Sequence, residues 1–299
     1  MSQAPLIERE LLEKLERLTI HWHKSFRGLV GGHNRSRFAG PGQEFLDHRH
    51  FHQGDDLRAV NWRAYLRLEK LFLKMFQVEP RTPIRILLDC SRSMSIGSKF
   101  LFARRLAAAL VYIGLVRHDT LVIQPFRDVL DDPITAGGGR HRFAPVSDFL
   151  TALPCEGHTD AVQVVRRFLS EYRQSGLAIV LSDFLDDADW LRPLQYLGDF
   201  HHELLLIQIY EEEERAPDWQ GEVELEDAET NTRLNLSLDE AARKAYTEAF
   251  DRHSDNIEAL ALRNGGRFAA LPTSTTLEEA IFFAIDQAGA TMERAARGG

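Results

Sequence analysis

Three short stretches of this chain, Ile84 to Leu88, Leu177 to Leu181 and Leu204 to Ile207, are apolar almost without interruption. None shows the apolar–polar alternation of a strand with one wet face. Strands of this kind are buried on both sides, as in a parallel sheet covered by helices. The segments between them have helical period. Ser98 to Arg117 sets Leu101, Leu106, Ala109, Leu110 and Ile113 on one face. Thr159 to Ser175 predicts a helix opened by Thr159 and Asp160 as capping residues, and Ala188 to Gly198 predicts another. Asp239 to Arg263 predicts a long helix stopped by Gly265 and Gly266. Asp119 to Phe126 and Phe268 to Leu271 complete the expected strands, and Phe143 to Leu153 and Thr276 to Ala288 the expected helices. Glu222 to Leu225 and Thr232 to Leu236 predict a hairpin at the sheet edge. Ahead of this region, residues 6–26 place Leu11, Leu12, Leu15, Leu18 and Trp22 at helical spacing. The fold class expected is α/β, a doubly wound, mostly parallel sheet with helices on both faces (81–290). An amino-terminal extension (1–80) packs on it, and an acidic insertion falls near 211–240.

In an open sheet of this type, ligands bind outside the carboxyl ends of the strands. Three such ends carry oxygen donors. Asp89, Ser91 and Ser93 form a D-x-S-x-S run after the first strand, Thr159 opens a helix, and Asp183 follows the strand Leu177 to Ser182. Asp89, Ser91, Ser93, Thr159 and Asp183 are all hard donors. They suit Mg²⁺, which takes oxygens in octahedral geometry and keeps some water, with Mn²⁺ or Ca²⁺ as alternatives. Two carboxylates balance the ion's charge, so an open position would attract one more anionic oxygen, such as a carboxylate from a partner protein. The competing account makes Ser91 and Ser93 loop and capping residues, with Asp89 accepting backbone N–H groups.

Other chemistries find less support. An aspartyl-phosphate enzyme wants a second Asp two residues after the first, where this chain has Ser91. A cysteine phosphatase wants Arg six residues after Cys90, where Ile96 stands. No G-x-S-x-G run occurs. Asp183, Asp186 and Asp187 could form a receiver-like acidic pocket but lack a paired acidic site on an early strand.

Net charge is -9 and 44% of residues are hydrophobic, enough for a core and unsuited to non-specific nucleic-acid binding. The two cysteines, Cys90 and Cys155, argue against a disulfide scaffold and fit a reducing compartment. Leu106 to Val116, the longest apolar stretch, is shorter than the roughly 20 residues that span a bilayer. The amino terminus has no apolar signal core, and the expectation is a cytoplasmic protein without membrane insertion. Residues 211–240 hold 12 acidic and 2 basic side chains. Glu211 to Glu214 read first as solvated surface, and second as a contact for a basic partner or for the chain's own amino-terminal region.

A second informative segment runs from Gly54 to Arg67. Asp55, Asp56, Arg58, Arg63 and Arg67 are interleaved with Trp62 and Tyr65. Trp62 reads as a buried indole, and the charged residues as either fold-locking pairs or a partner-binding face. Nearby, His48, His50 and His52 with Asp55 and Asp56 form a weak zinc candidate; His21 and His23 are weaker still.

The run G-D-D-x-R-x-x-N-W-R-x-x-x-R, followed by the D-x-S-x-S-M strand end, resembles the bacterial family called domain of unknown function 58. The five oxygen donors resemble the metal-ion-dependent adhesion site of von Willebrand factor A domains. The resemblance implies a von Willebrand factor A-like fold and a non-enzymatic, metal-dependent adaptor. It also implies a MoxR-type AAA+ ATPase as partner and an unidentified protein client, in protein maturation or complex assembly. A metal-dependent hydrolase, or a scaffold with a vestigial site, are the alternatives.

Overall fold

The computed structural model describes residues 5–21, 39–40, 44–52, 60–77, 83–185, 190–229 and 232–284. The chain forms two compact units, residues 31–81 and the remainder. Helix α1 (Arg9–His21) belongs to the larger unit.

The smaller unit is a three-stranded antiparallel sheet of β1 (Ala39–Gly40), β2 (Glu44–His50) and β3 (Phe72–Gln77), with β3 in the middle. Helix α2 (Trp62–Leu68) precedes β3. The Asn61 side chain caps it by accepting the Ala64 N–H at 3.3 Å. Trp62 does not have the buried indole expected of it: it is 55% exposed, in edge contact with Tyr65. Among the described side chains of α2 only Ala64 is even partly buried, and Trp62 lies on the exposed surface of the helix.

The larger unit is built on β4 (Ile84–Asp89), β5 (Leu121–Phe126), β6 (Ile134–Ala136), β7 (Leu177–Ser182), β8 (Glu203–Tyr210), β9 (Gly221–Glu226), β10 (Arg233–Leu238) and β11 (Arg267–Pro272). Six strands make the main sheet, in the order β11-β8-β7-β4-β5-β6. All pair in parallel except β6, which runs antiparallel to β5 at the edge. This is the mostly parallel sheet that the apolar runs imply. The hairpin β9–β10 is where the pattern places it in sequence, but it forms a two-stranded sheet of its own rather than an edge of the main one.

Alternate strand residues feed two cores. Leu177, Ile179 and Leu181 face α1, α3 (Lys99–Val116) and α4 (Phe143–Ala152). Ala178 and Val180 face α5 (Ala161–Glu171), α6 (Leu191–Asp199) and α8 (Glu240–Arg263), which follows the short α7 (Glu212–Arg215). Helix α8 ends as its sequence requires, with Gly265 in the left-handed region at φ 69°. A last helix, α9, covers residues 277–284.

One buried group gives the fold a pH dependence. Burial, reinforced by the Arg85 guanidinium, pushes the His202 imidazole down to about 4. Its folded value lies below the unfolded one, so the unfolded chain binds the proton first. The stability that this group contributes is complete above about pH 6.5 and is lost between there and pH 4. It should make up about 1–2 kcal/mol of the difference between urea titrations at pH 7 and 4.5, after allowance for screening. His202→Phe should remove that part of the difference; an unchanged difference in the variant would refute the assignment.

Candidate metal centre

Asp89 ends β4 and Ser182 ends β7. These strands are neighbours, yet the chain leaves β4 toward one side of the sheet and builds the other side from β7 onward. Their carboxyl ends are therefore a topological switch point, where the crevice of an open α/β sheet lies. Asp89 is buried there. Its Oδ1 accepts the Ser91 N–H at 2.9 Å, and its Oδ2 accepts the Ser182 hydroxyl at 2.6 Å. Asp183 follows Ser182 and accepts the Leu185 N–H at 3.2 Å. The Ser91 and Ser93 hydroxyl oxygens stand 3.0 Å apart.

The segment leading to Thr159 is bonded to the same loop. The Glu156 N–H reaches the Cys90 carbonyl at 2.9 Å, and the Arg92 N–H reaches the Gly157 carbonyl at 3.0 Å. Asp160 alone caps α5, accepting the Gln163 N–H at 2.9 Å, so the helix starts at Ala161 rather than at Thr159. Released from capping, Thr159 is 8% exposed and its hydroxyl oxygen is buried with no hydrogen-bond partner. Its N–H donates to Glu229 Oε2 at 3.1 Å, and Glu229 Oε1 is also buried and unpartnered. Asp89, Ser91, Ser93 and Asp183 thus meet at one sheet end, with Thr159 on the adjoining loop.

The charge here is unbalanced. Burial, with Asp183 close by, raises the Asp89 carboxyl to about 7. Among the described residues the buried cation at this end is Lys99, which sequence reasoning overlooked. Its ammonium is 0% exposed and bonds Asp183 Oδ2 at 2.8 Å and Glu214 Oε1 at 2.5 Å. Burial works against the ammonium, but the two carboxylates outweigh it and hold its pKa above the ordinary value. A signal was present: a cation in the first turn of a helix opposes the helix dipole, so Lys99 needed acidic partners from elsewhere. Ser182 was overlooked as well.

Glu211 and Glu214 are not the solvated surface expected of them. Glu214 pairs with Lys99. Glu211 accepts the Ser98 N–H and hydroxyl at 2.5 and 3.0 Å and the Thr273 hydroxyl at 2.5 Å, closing the amino end of α3. Gly97 makes room for this: its φ is 59°, and a Cβ there would run into the Glu211 carboxylate. On the other flank, Phe184 is a non-glycine residue at φ 55°, a conformation costing about 1–2 kcal/mol. The fully buried phenyl against Trp190 and the bond from its N–H to Ser182 Oγ at 3.0 Å hold it there.

The donor set matches a hard divalent cation. Mg²⁺–oxygen distances of about 2.1 Å put adjacent octahedral ligands about 3.0 Å apart, the spacing of the two serine hydroxyls. Among the described residues, no three His, Cys, Asp or Glu side chains gather as a metal group, and this cluster draws on hydroxyls instead. Cys90 is buried, with its thiol pKa raised by that burial.

The second candidate surface is less visible. Asp55, Asp56 and Arg58 lie outside the described residues. Arg63 is on α2 with its side chain outside them, and Arg67 is exposed in the last turn. Of the histidines, His50 packs on Phe72 at 4.7 Å between ring centroids, and the His21 and His48 side chains and His23 lie outside the description. No helix among the described residues is long and apolar enough to cross a membrane.

Residues 47–256 match the family described as Protein of unknown function DUF58. An uncharacterized protein of Mycobacterium tuberculosis is 23% identical over 265 residues, covering 86% of this chain and 83% of that one. An uncharacterized protein of Mycobacterium avium is 32% identical over 98 residues, 32% of this chain and 55% of its own. The crystal structure of conserved hypothetical protein BatB from Bacteroides thetaiotaomicron is similar with a TM-score of 0.41 and 15% identity, over 70% of this chain and 99% of that one. The SpRpn10 VWA domain is similar with a TM-score of 0.36 and 13% identity, over 70% and 95%.

Proposed function

The chain belongs to the DUF58 family, and from that premise and the strand-end geometry we propose that it is a non-enzymatic, metal-dependent protein-binding adaptor. Asp89, Ser91, Ser93, Thr159 and Asp183 hold Mg²⁺, and a carboxylate of a partner protein completes the coordination. The observation that carries this reading is the buried, unpartnered Thr159 hydroxyl beside an oxygen cluster short of positive charge. Buried polar atoms are nearly always satisfied, and one without a protein partner points to an ion or water. Both thiols near the cluster are pushed up by burial, Cys155 to about 12, so neither is an activated nucleophile.

The resemblance to the family makes a MoxR-type AAA+ ATPase the partner to test first. Binding of the cognate ATPase, measured by calorimetry, should weaken at least tenfold in EDTA and equally in Asp89→Ala, a loss of about 1.4 kcal/mol or more. Equal affinity in all three conditions would end the proposal. One observation favours the scaffold reading: the Lys99 ammonium already supplies a positive charge at Asp183. A Mg²⁺ titration followed by thermal unfolding separates the two, because a scaffold gains no stability from the ion.

A further inference from the structure

We infer that Glu229, on the β9–β10 hairpin, is an internal ligand of this cation and occupies the position that a partner's carboxylate takes. The inference rests on the metal-binding reading above and extends it to how the site is controlled.

Among the described residues the hairpin is not part of the main sheet, and its two strands pair with each other. Glu229 follows Asp227, whose side chain accepts the Glu229 N–H at 2.9 Å and so fixes the turn. From there the carboxylate reaches the loop at the switch point. Its Oε2 accepts the Thr159 N–H at 3.1 Å, while Oε1 is buried and unpartnered. Thr159 itself has a buried, unpartnered hydroxyl oxygen. Two buried oxygens from residues 70 positions apart, each lacking a hydrogen-bond partner, therefore belong to residues in direct contact. The Thr159 hydroxyl makes no bond to Oε1 or to any other group, and a hard cation between the two oxygens satisfies both. With Asp89 and Asp183 already balancing a divalent ion, the carboxylate of Glu229 supplies the extra anionic oxygen expected from outside.

The consequence is competition. An acidic segment of a partner gains the ion only by displacing Glu229 and lifting the hairpin. The chain is closed to partners when Glu229 is seated and open when it is not. The partner's site is an exposed Glu or Asp on a protein segment, because only a carboxylate exchanges with Glu229 without changing the charge at the ion.

Mn²⁺ alone is the first probe. Its affinity, read from the free-ion electron paramagnetic resonance signal, should be measured for the full chain, for Asp89→Ala and for Glu229→Gln. Hydrogen exchange over Gly221–Leu238 should be followed with and without the ion. The expected result is Mn²⁺ binding that Asp89→Ala abolishes and Glu229→Gln weakens about tenfold, with ion-induced slowing of exchange in the hairpin of the unaltered chain only. A labelled hexaglutamate peptide should bind Glu229→Gln at least about fivefold more tightly in Mn²⁺. If the chain binds Mn²⁺ through Asp89 but Glu229→Gln changes the affinity less than twofold and leaves hairpin exchange unaltered, the internal ligand is wrong and the metal site stands. If the unaltered chain binds no Mn²⁺, both are overturned.

Discussion

Lys99→Met is expected to destabilise the chain by about 3–5 kcal/mol in metal-free buffer, the cost of leaving buried carboxylates without their cation. The ammonium has no contact with water and two carboxylate partners, Asp183 after β7 and Glu214 on α7. Methionine fills most of the volume and suits the apolar face of α3, so packing loss is small. What remains is uncompensated negative charge: Asp183 in a site where Asp89 is already held near neutrality by burial. Part of the loss should return on adding Mg²⁺, since the ion replaces the missing charge. Chemical denaturation in EDTA and in Mg²⁺ measures both effects. A loss under about 1 kcal/mol would mean that water reaches Asp183 and that the electrostatic account of this sheet end is wrong.

Asp89→Asn should separate the site from the fold. The folded pKa of Asp89, about 7, lies above its unfolded value. The group therefore favours folding at low pH, and that contribution is lost as pH rises toward 7. At pH 8 the ionised carboxylate opposes the metal-free fold. Asparagine removes the charge and keeps the shape. Its oxygen can accept the Ser91 N–H, and its amide can donate to the Ser182 hydroxyl, in place of the bonds now made. In EDTA at pH 8 the variant should be at least as stable as the parent. In Mg²⁺ at one hundred times the dissociation constant, the parent should gain about 2.7 kcal/mol and the variant nothing. A variant that still gains stability from Mg²⁺ would show that the ion binds elsewhere.

The parts of the fold that were legible in sequence are those where one residue type at one spacing has one reason. β4, β7 and β8 are buried on both faces, so their composition leaves little choice. Gly265 stops α8 because the left-handed position demands it. β6 was missed because Ile134–Ala136 is a three-residue edge strand beside three glycines, too short to show a period. The smaller unit's sheet was missed because β2 carries five charged or histidine positions in seven. At the candidate site, the donors Asp89, Ser91 and Ser93 are local and visible. Lys99 with Glu214, Thr159 with Glu229, and Ser98 with Glu211 are separated by 115, 70 and 113 residues. No local pattern reports such pairs, and the glutamates looked like ordinary surface acids until the chain closed on them.

The order of the strands also sets a schedule. Ser182, which holds Asp89, follows it by 93 residues. At about 5–20 residues per second, a ribosome needs roughly 5–20 s to make the one after the other. Through that interval the emerging chain carries Asp89 without Ser182 and Lys99 without Asp183 and Glu214, and the central strand β4 has only β5 beside it. All five proposed ligands are present in the chain once Asp183 is made, before β8 and β11 extend the sheet on the other side of β7.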